Sequence, residues 1–149
     1  MLDQSFSEVY TKFKLQFYKK IFGNLETRDP SLTVMEIFCV EVIYALHNPT
    51  INEFATFTHI SGPNATYKVN SLVRKGYVRK IQSQLDKREY FLQITDKYMT
   101  DYGITYDYIR VVVERMKANF TEEEIIMLER MLMTMNNELM PEAAITRKI

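Results

Sequence analysis

Between Ser61 and Thr95 the sequence gathers amides, hydroxyls and cations in an order suited to holding a polyanion. Asn64, Thr66 and Tyr67 open a polar stretch, with Lys68, Arg74 and Lys75 behind them. Arg79 and Lys80 then sit on the first arm of a hairpin pattern, and Lys87 and Arg88 in its turn. An asparagine amide can pair with the edge of adenine, and hydroxyls reach phosphates or a thymine methyl. An arginine at a hairpin tip suits a narrow A·T-rich minor groove, where the negative potential is strongest. From residue 60 to 90 there are seven basic side chains against Asp86 and Glu89, a local charge of +5, although 19 basic and 19 acidic residues cancel over the chain. Such local concentration is an electrostatic footprint for phosphates. Charge alone leaves an ordinary solvated face as an equal alternative, and Arg88 has a second option in pairing with Asp86.

The remaining reactive groups are sparse. Cys39 stands between Phe38 and Val40 in an apolar run, next to Glu41, a setting for a buried inert thiol rather than a redox sensor. His47 and His59 fall on different elements and make no zinc set with it, so no metal is expected. No histidine lies near a nucleophile, four glycines form no phosphate loop, and no carboxylate pair has an apolar setting. An enzyme is therefore not expected, nor a resident cofactor.

The elements that must position the polar stretch are legible from caps and periodicity. Phe6, Val9, Tyr10, Phe13, Phe17 and Ile21 lie on one face of a first helix ending near Gly23-Asn24. It has more apolar surface than a small domain covers alone, and the excess reads as subunit interface. Thr33 with Glu36, Thr50 with Glu53, and Thr121 with Glu124 have capping-box spacing, and Leu32 with Ile37 and Phe120 with Ile125 that of hydrophobic staples. Helices are predicted from Val34 to Leu46 and from Ile51 to Thr58, the first ending before Asn48-Pro49. Ser61 caps the next, which buries Ala65, Val69 and Leu72, turns Asn64, Tyr67, Asn70, Ser71 and Arg74 outward, and stops at Gly76. Strands follow at Tyr77–Gln82 and Glu89–Ile94. Thr95-Asp96 is expected to cap one long helix to Asn119, and a last helix to run from Glu122 to Leu139, carrying Ile125, Leu128, Leu132 and Leu139. The tail from Glu142 should be frayed.

Helix, tight turn, second helix and hairpin make a helix-turn-helix plus wing. Here the sequence resembles the MarR family of bacterial transcription regulators, from about Leu32 to Asn137. The wing carries the likeness best: Asp86-Lys-Arg88, then Leu92-Gln-Ile94-Thr95, is similar to the family's Asp-x-Arg, alternating apolar residues and capping threonine. Leu72-Val-Arg-Lys-Gly76-Tyr-Val78 matches its passage from recognition helix into wing. The resemblance implies a mainly α fold with a small two-stranded β-wing, in which N- and C-terminal helices pair two subunits. Pro63, Asn64, Thr66 and Tyr67 match groove-facing positions, Arg88 the minor-groove arginine and Asp86 the acid that orients the tip. Departures are His59 where glycine is usual, Thr58 where a buried leucine is usual, and Lys68 at a commonly apolar position.

The expected organisation is a dimerisation helix over 1–30, a winged helix-turn-helix over 31–95, dimerisation helices over 96–140 and a tail over 141–149. The expected function is a homodimeric, sequence-specific DNA-binding regulator, a repressor of near-palindromic operators. Ser61, Pro63, Asn64, Thr66, Tyr67, Lys68, Arg74, Arg79, Asp86, Lys87 and Arg88 would meet double-stranded DNA, while Lys75 and Lys80 would help fix register on its backbone. Phe6, Tyr10, Phe13, Phe17, Ile125, Leu128, Leu132 and Leu139 would form the dimer interface. Nine methionines with nineteen Phe and Tyr residues read as core and interface filler, or as the lining of a small-molecule effector pocket. The competing class is a winged-helix module that docks on an acidic protein and has no specific DNA site. Against it stands the amide-bearing outer face of the fourth helix. Without a secretory signal or an apolar run of roughly 20 residues, a cytoplasmic protein with no membrane partner is expected.

Overall fold

Caps set where the helices begin. Thr33 accepts from the Glu36 N–H at 3.2 Å while its own N–H donates to the Glu36 carboxylate at 2.8 Å, and Thr121 with Glu124 repeats the pair. Thr50 accepts from the Glu53 N–H at 3.1 Å, and its hydroxyl donates to the Glu53 carboxylate. Each such cap is worth about 1 kcal/mol. The computed structural model describes residues 1–25 and 32–143, apart from the side chains of residues 24, 25 and 104–106. The chain runs α1 (Leu2–Leu25), α2 (Val34–Ala45), α3 (Ile51–Thr58), α4 (Gly62–Arg74), β1 (Val78–Gln82), β2 (Tyr90–Ile94), α5 (Asp96–Tyr102), α6 (Ile104–Asn119) and α7 (Glu122–Thr134). The fold is mainly helical with a two-stranded antiparallel wing, registered from Val78 opposite Ile94 to Gln82 opposite Tyr90. No described helix is long and apolar enough to cross a membrane.

Three expectations need correction. The single helix from Thr95 to Asn119 is two, broken at Gly103, whose ψ of 59° lies outside the helical region. A glycine costs about 1 kcal/mol relative to alanine inside a helix, and here it marks the break. Thr95 stands at the cap position of α5, but its hydroxyl makes no cap bond there and donates instead to the Gly76 carbonyl at 2.6 Å. The last helix continues past Thr134 only as a widened π-turn over Met135–Leu139, followed by a short 3₁₀ turn at Pro141–Ala143. The tail expected to fray lies, beyond Ala143, outside the described residues.

The chain divides into two units. One, within Lys19–Gly103, is built on Ile37, Val40, Ile43, Phe54, Ala65, Val69, Leu72 and Leu92, all buried. Its wing gains a third edge from the turn before α3, where Thr50 bridges Phe91 and the Leu92 N–H donates to the Pro49 carbonyl at 2.8 Å. That turn is left-handed at His47 (φ 51°) and Asn48 (φ 58°). The other unit joins Met1–Tyr18 to α6 and α7. Within it Phe13 packs edge-on against Tyr108, ring centres 5.5 Å apart. α7 buries no residue, and Phe6, Val9, Tyr10, Ile126, Met131, Leu132 and Leu139 are exposed.

Tyrosines hold α5 in the first unit. Tyr98 and Tyr102 stack with centres 5.5 Å apart, and Tyr77 meets Tyr102 edge-on. Tyr102 Oη accepts from the Leu32 N–H at 3.0 Å, Tyr77 donates to Asp101, and Tyr98 donates to Glu41 through a short bond. Burial pushes the Glu41 carboxyl above its ordinary value, partly offset by the Tyr98 hydroxyl. A carboxyl whose pKa is raised by folding contributes stability below the unfolded value and loses it as pH rises through the folded one. Glu41→Gln, which keeps an acceptor for Tyr98 without the charge, should therefore raise Tm at pH 7 by about 2–4 °C. Melting at pH 4 should show the gain disappear; an equal gain at both values contradicts the assignment.

Candidate nucleic-acid interface

α4 begins at Ser61, whose hydroxyl accepts from the Asn64 N–H at 3.3 Å, with Pro63 in the first turn. Its apolar residues Ala65, Val69 and Leu72 are fully buried, which forces the polar ones outward. Pro63, Asn64, Thr66, Tyr67 and Arg74 are exposed, and Lys68 is half-buried at the margin. Before the helix, His59 is left-handed at φ 54°, the conformation for which glycine is usual at this place. Thr58, at the position where a leucine is usual, donates its hydroxyl to the Phe54 carbonyl at 2.7 Å. Gly76 ends the passage from α4 at φ +85°, as the sequence predicts.

The hairpin tip is tied from within. Ser83 is buried, and its hydroxyl accepts from the N–H groups of Leu85 and Asp86 at 3.2 and 3.3 Å. Asp86 in turn accepts from the Arg88 N–H at 3.0 Å, from Nε at 3.1 Å and from a terminal nitrogen at 3.1 Å. These bonds, the Arg88 side chain foremost, hold the Asp86 carboxyl below its ordinary value. Arg88 is thus paired with Asp86 yet 90 % exposed. An orienting acid and an arginine presented to a groove are compatible. Lys87 is exposed on the same turn.

The other cations divide. Lys80 Nζ donates to Asn70 Oδ1 at 2.9 Å and ties β1 to α4. Arg79, one residue away on the strand and so on the opposite face, donates Nε to Gln93 at 2.6 Å. It lines a cavity of about 370 Å³ with Tyr44, His47 and Met99. Lys75 is turned inward: its ammonium lies 2.8 Å from a Glu36 oxygen, so the expectation that it fixes register on phosphates does not fit. Ser71, expected on the outer face, donates to Glu36 at 3.0 Å. Lys97, which sequence reasoning passed over, donates to the Lys75 carbonyl at 2.9 Å. Glu36 had a visible signal, its capping-box spacing, but nothing local shows that its carboxylate also serves α4, 35 and 39 residues on. Cys39 is buried, and burial pushes its thiol up against a lowering pull from Lys68.

The eight residues expected at a subunit interface all fall in the unit of α1, α6 and α7. Phe6, Tyr10, Leu132 and Leu139 are exposed, while Phe13, Phe17, Ile125 and Leu128 are half-buried. Ile125, Leu128 and Leu132 also line an open, mainly apolar groove of about 560 Å³ with Val113 and Met116.

The model of the MarR family matches residues 30–89, from the start of α2 through the wing tip. Among solved structures, the chain is similar to FabT of Streptococcus pneumoniae in complex with DNA, at 19 % identity over 93 % of this chain and 94 % of that one, TM-score 0.55. It is also similar to a mutant of MepR from a multidrug-resistant S. aureus clinical isolate, at 16 % identity over 93 % and 97 %, TM-score 0.62. A MarR family protein from Bacillus stearothermophilus aligns at 14 % identity over 93 % and 92 %, TM-score 0.59. No curated protein matches the sequence. At such identities the likeness is one of fold, and the family match is confined to a segment that contains α3, α4 and the Asp86–Arg88 tip. Residues 30–89, folded here as a winged helix-turn-helix, thus match the MarR family of transcription regulators, and the chain as a whole shares that family's fold.

Proposed function

We propose that the protein is a cytoplasmic homodimer that binds near-palindromic operators and represses by occupancy. One observation carries the reading: α4 turns Asn64, Thr66 and Tyr67 outward while the wing holds Arg88 out on a braced tip. In this reading Asn64, Thr66 and Tyr67 meet base edges and phosphates in the major groove, with Pro63 packed at the helix start. Arg88 enters the minor groove, oriented by Asp86, while Ser61, Lys68, Arg74, Arg79 and Lys87 contact the backbone. That FabT was solved in complex with DNA supports the same use of the shared fold. Residues 31–95 form the reading module, and residues 1–30 with 96–140 pair the subunits through the exposed apolar faces of α1 and α7. Two modules roughly one helical turn apart multiply the sequence read, which one module cannot do alone.

A dimer seated on a promoter excludes other proteins from the same duplex, so repression needs no further surface. Effector control is part of the proposal: a small ligand that favours one spacing of the two modules shifts operator affinity by its differential binding. The 370 Å³ cavity behind the wing is of the size small ligands occupy. Selection of bound duplexes from a random pool tests the whole reading. It should return two inverted half-sites about one turn apart, bound with sub-micromolar affinity that falls steeply with salt. A pool that is never enriched, with no duplex retained in dilute buffer, leaves a protein-docking module and ends the DNA reading.

A further inference from the structure

A recognition helix reads DNA only if its roll about its own axis is fixed, because successive side chains lie about 100° apart around it. On that count Tyr67 and Arg74 sit near the middle of the outer face of α4. Ser71 and Lys75 lie on one shoulder and Asn70 on the other. Both shoulders are braced by polar contacts. Asn70 accepts from Lys80 of β1. Ser71 and Lys75 both converge on Glu36 of α2, with Ser71 Oγ 3.0 Å and Lys75 Nζ 2.9 Å from Oε1. Glu36 also accepts from the Thr33 N–H at 2.8 Å, so its carboxylate is anchored to the start of α2 before it reaches α4. The pair is largely shielded, with side-chain exposures of 27 % for Lys75 and 17 % for Glu36. Burial alone would raise the Glu36 carboxyl, but Lys75, the Thr33 N–H and Ser71 together hold it below its ordinary value. Charge-assisted bonds of this kind are short and directional, and they resist rotation more than apolar packing does.

We propose that Glu36 is a positioning residue for base reading. Its contacts with Ser71 and Lys75 brace one shoulder of α4, fix the roll of the outer face, and withdraw Lys75 from the phosphate-binding set. The proposal rests on the DNA-binding reading above and adds to it a residue that meets no DNA.

The test uses the full chain and three variants, with three readouts. These are melting temperature, the ratio of affinity for the selected duplex over mixed-sequence duplex, and the slope of log affinity against log salt. Glu36→Gln keeps an oxygen for the Thr33 N–H but loses the charge that holds Lys75. It should lower the ratio about tenfold and, by freeing a cation, steepen the slope by about one phosphate contact per subunit. Lys75→Gln should lower the ratio similarly with the wild-type slope retained, and Lys75→Arg should keep both near wild type. A Lys75→Gln slope shallower by one contact would place Lys75 on a phosphate and overturn the proposal. So would lower melting temperatures with an unchanged ratio, which is the signature of a merely structural brace. Wild-type protein that retains no duplex at all would instead bring down the DNA reading on which the proposal stands.

Discussion

Replacing Leu132 and Phe6 by glutamate should convert the protein to a monomer and lower operator affinity by a factor on the order of 10²–10⁴. Both side chains are half or more exposed in the single chain and neither is among its buried core residues, so the substitutions leave that core intact. What they do is place charge where a second copy's apolar surface would have to desolvate it. The size follows from linkage. In a dimer the second module binds at the effective concentration set by the first, and a monomer loses that advantage without losing a single contact to its half-site. Sedimentation and melting should report a folded monomer, and retention of a half-site duplex should match wild type at high protein concentration. A variant that stays dimeric would move the interface away from α1 and α7.

Arg88→Ala should weaken each half-site by about 5- to 100-fold, and the two half-sites of an operator multiply. The wing would keep its shape, because Ser83 still accepts from Leu85 and Asp86, and β1 still pairs with β2. Preference for A·T pairs beside each half-site should relax, since a narrow minor groove attracts the guanidinium through its potential rather than through base hydrogen bonds. Asp86→Asn separates orientation from charge. It keeps an acceptor for the Arg88 N–H but loses the ion pair, so its effect should be smaller than that of the alanine variant. Full affinity and unchanged selectivity in Arg88→Ala, measured at one fixed salt concentration, would remove the wing from the interface.

Much of this architecture is written locally. Thr33 with Glu36, Thr121 with Glu124, Ser61 and Gly76 act within four residues of themselves, and each marks an element boundary where the sequence predicts one. The outer face of α4 follows from its buried stripe by helical geometry. Side chains that act across the fold escaped such reading. Thr95 has the spacing of a cap, but the Gly76 carbonyl competes for its hydroxyl and wins. Ser71 and Lys75 are polar residues on a helix shoulder, and only the packing of α4 against α2 decides that they face a carboxylate rather than solvent. The break at Gly103 was hidden because apolar periodicity continues through it, as Tyr98 and Tyr102 do for one unit and Ile109 and Met116 for the other. Thr50 reads as a helix cap, which it is, yet its backbone also bridges β2.

The solitary thiol of Cys39 has a practical corollary. With 6 % of its surface reachable and its proton held more tightly than usual, it reacts only when the helix around it parts from its neighbours. Because no second cysteine competes for reagent, the alkylation rate is a native stopwatch for breathing of the reading head. Bound duplex or a tight-fitting metabolite should slow that clock, and the slowing needs no label, tag or engineered probe to be seen.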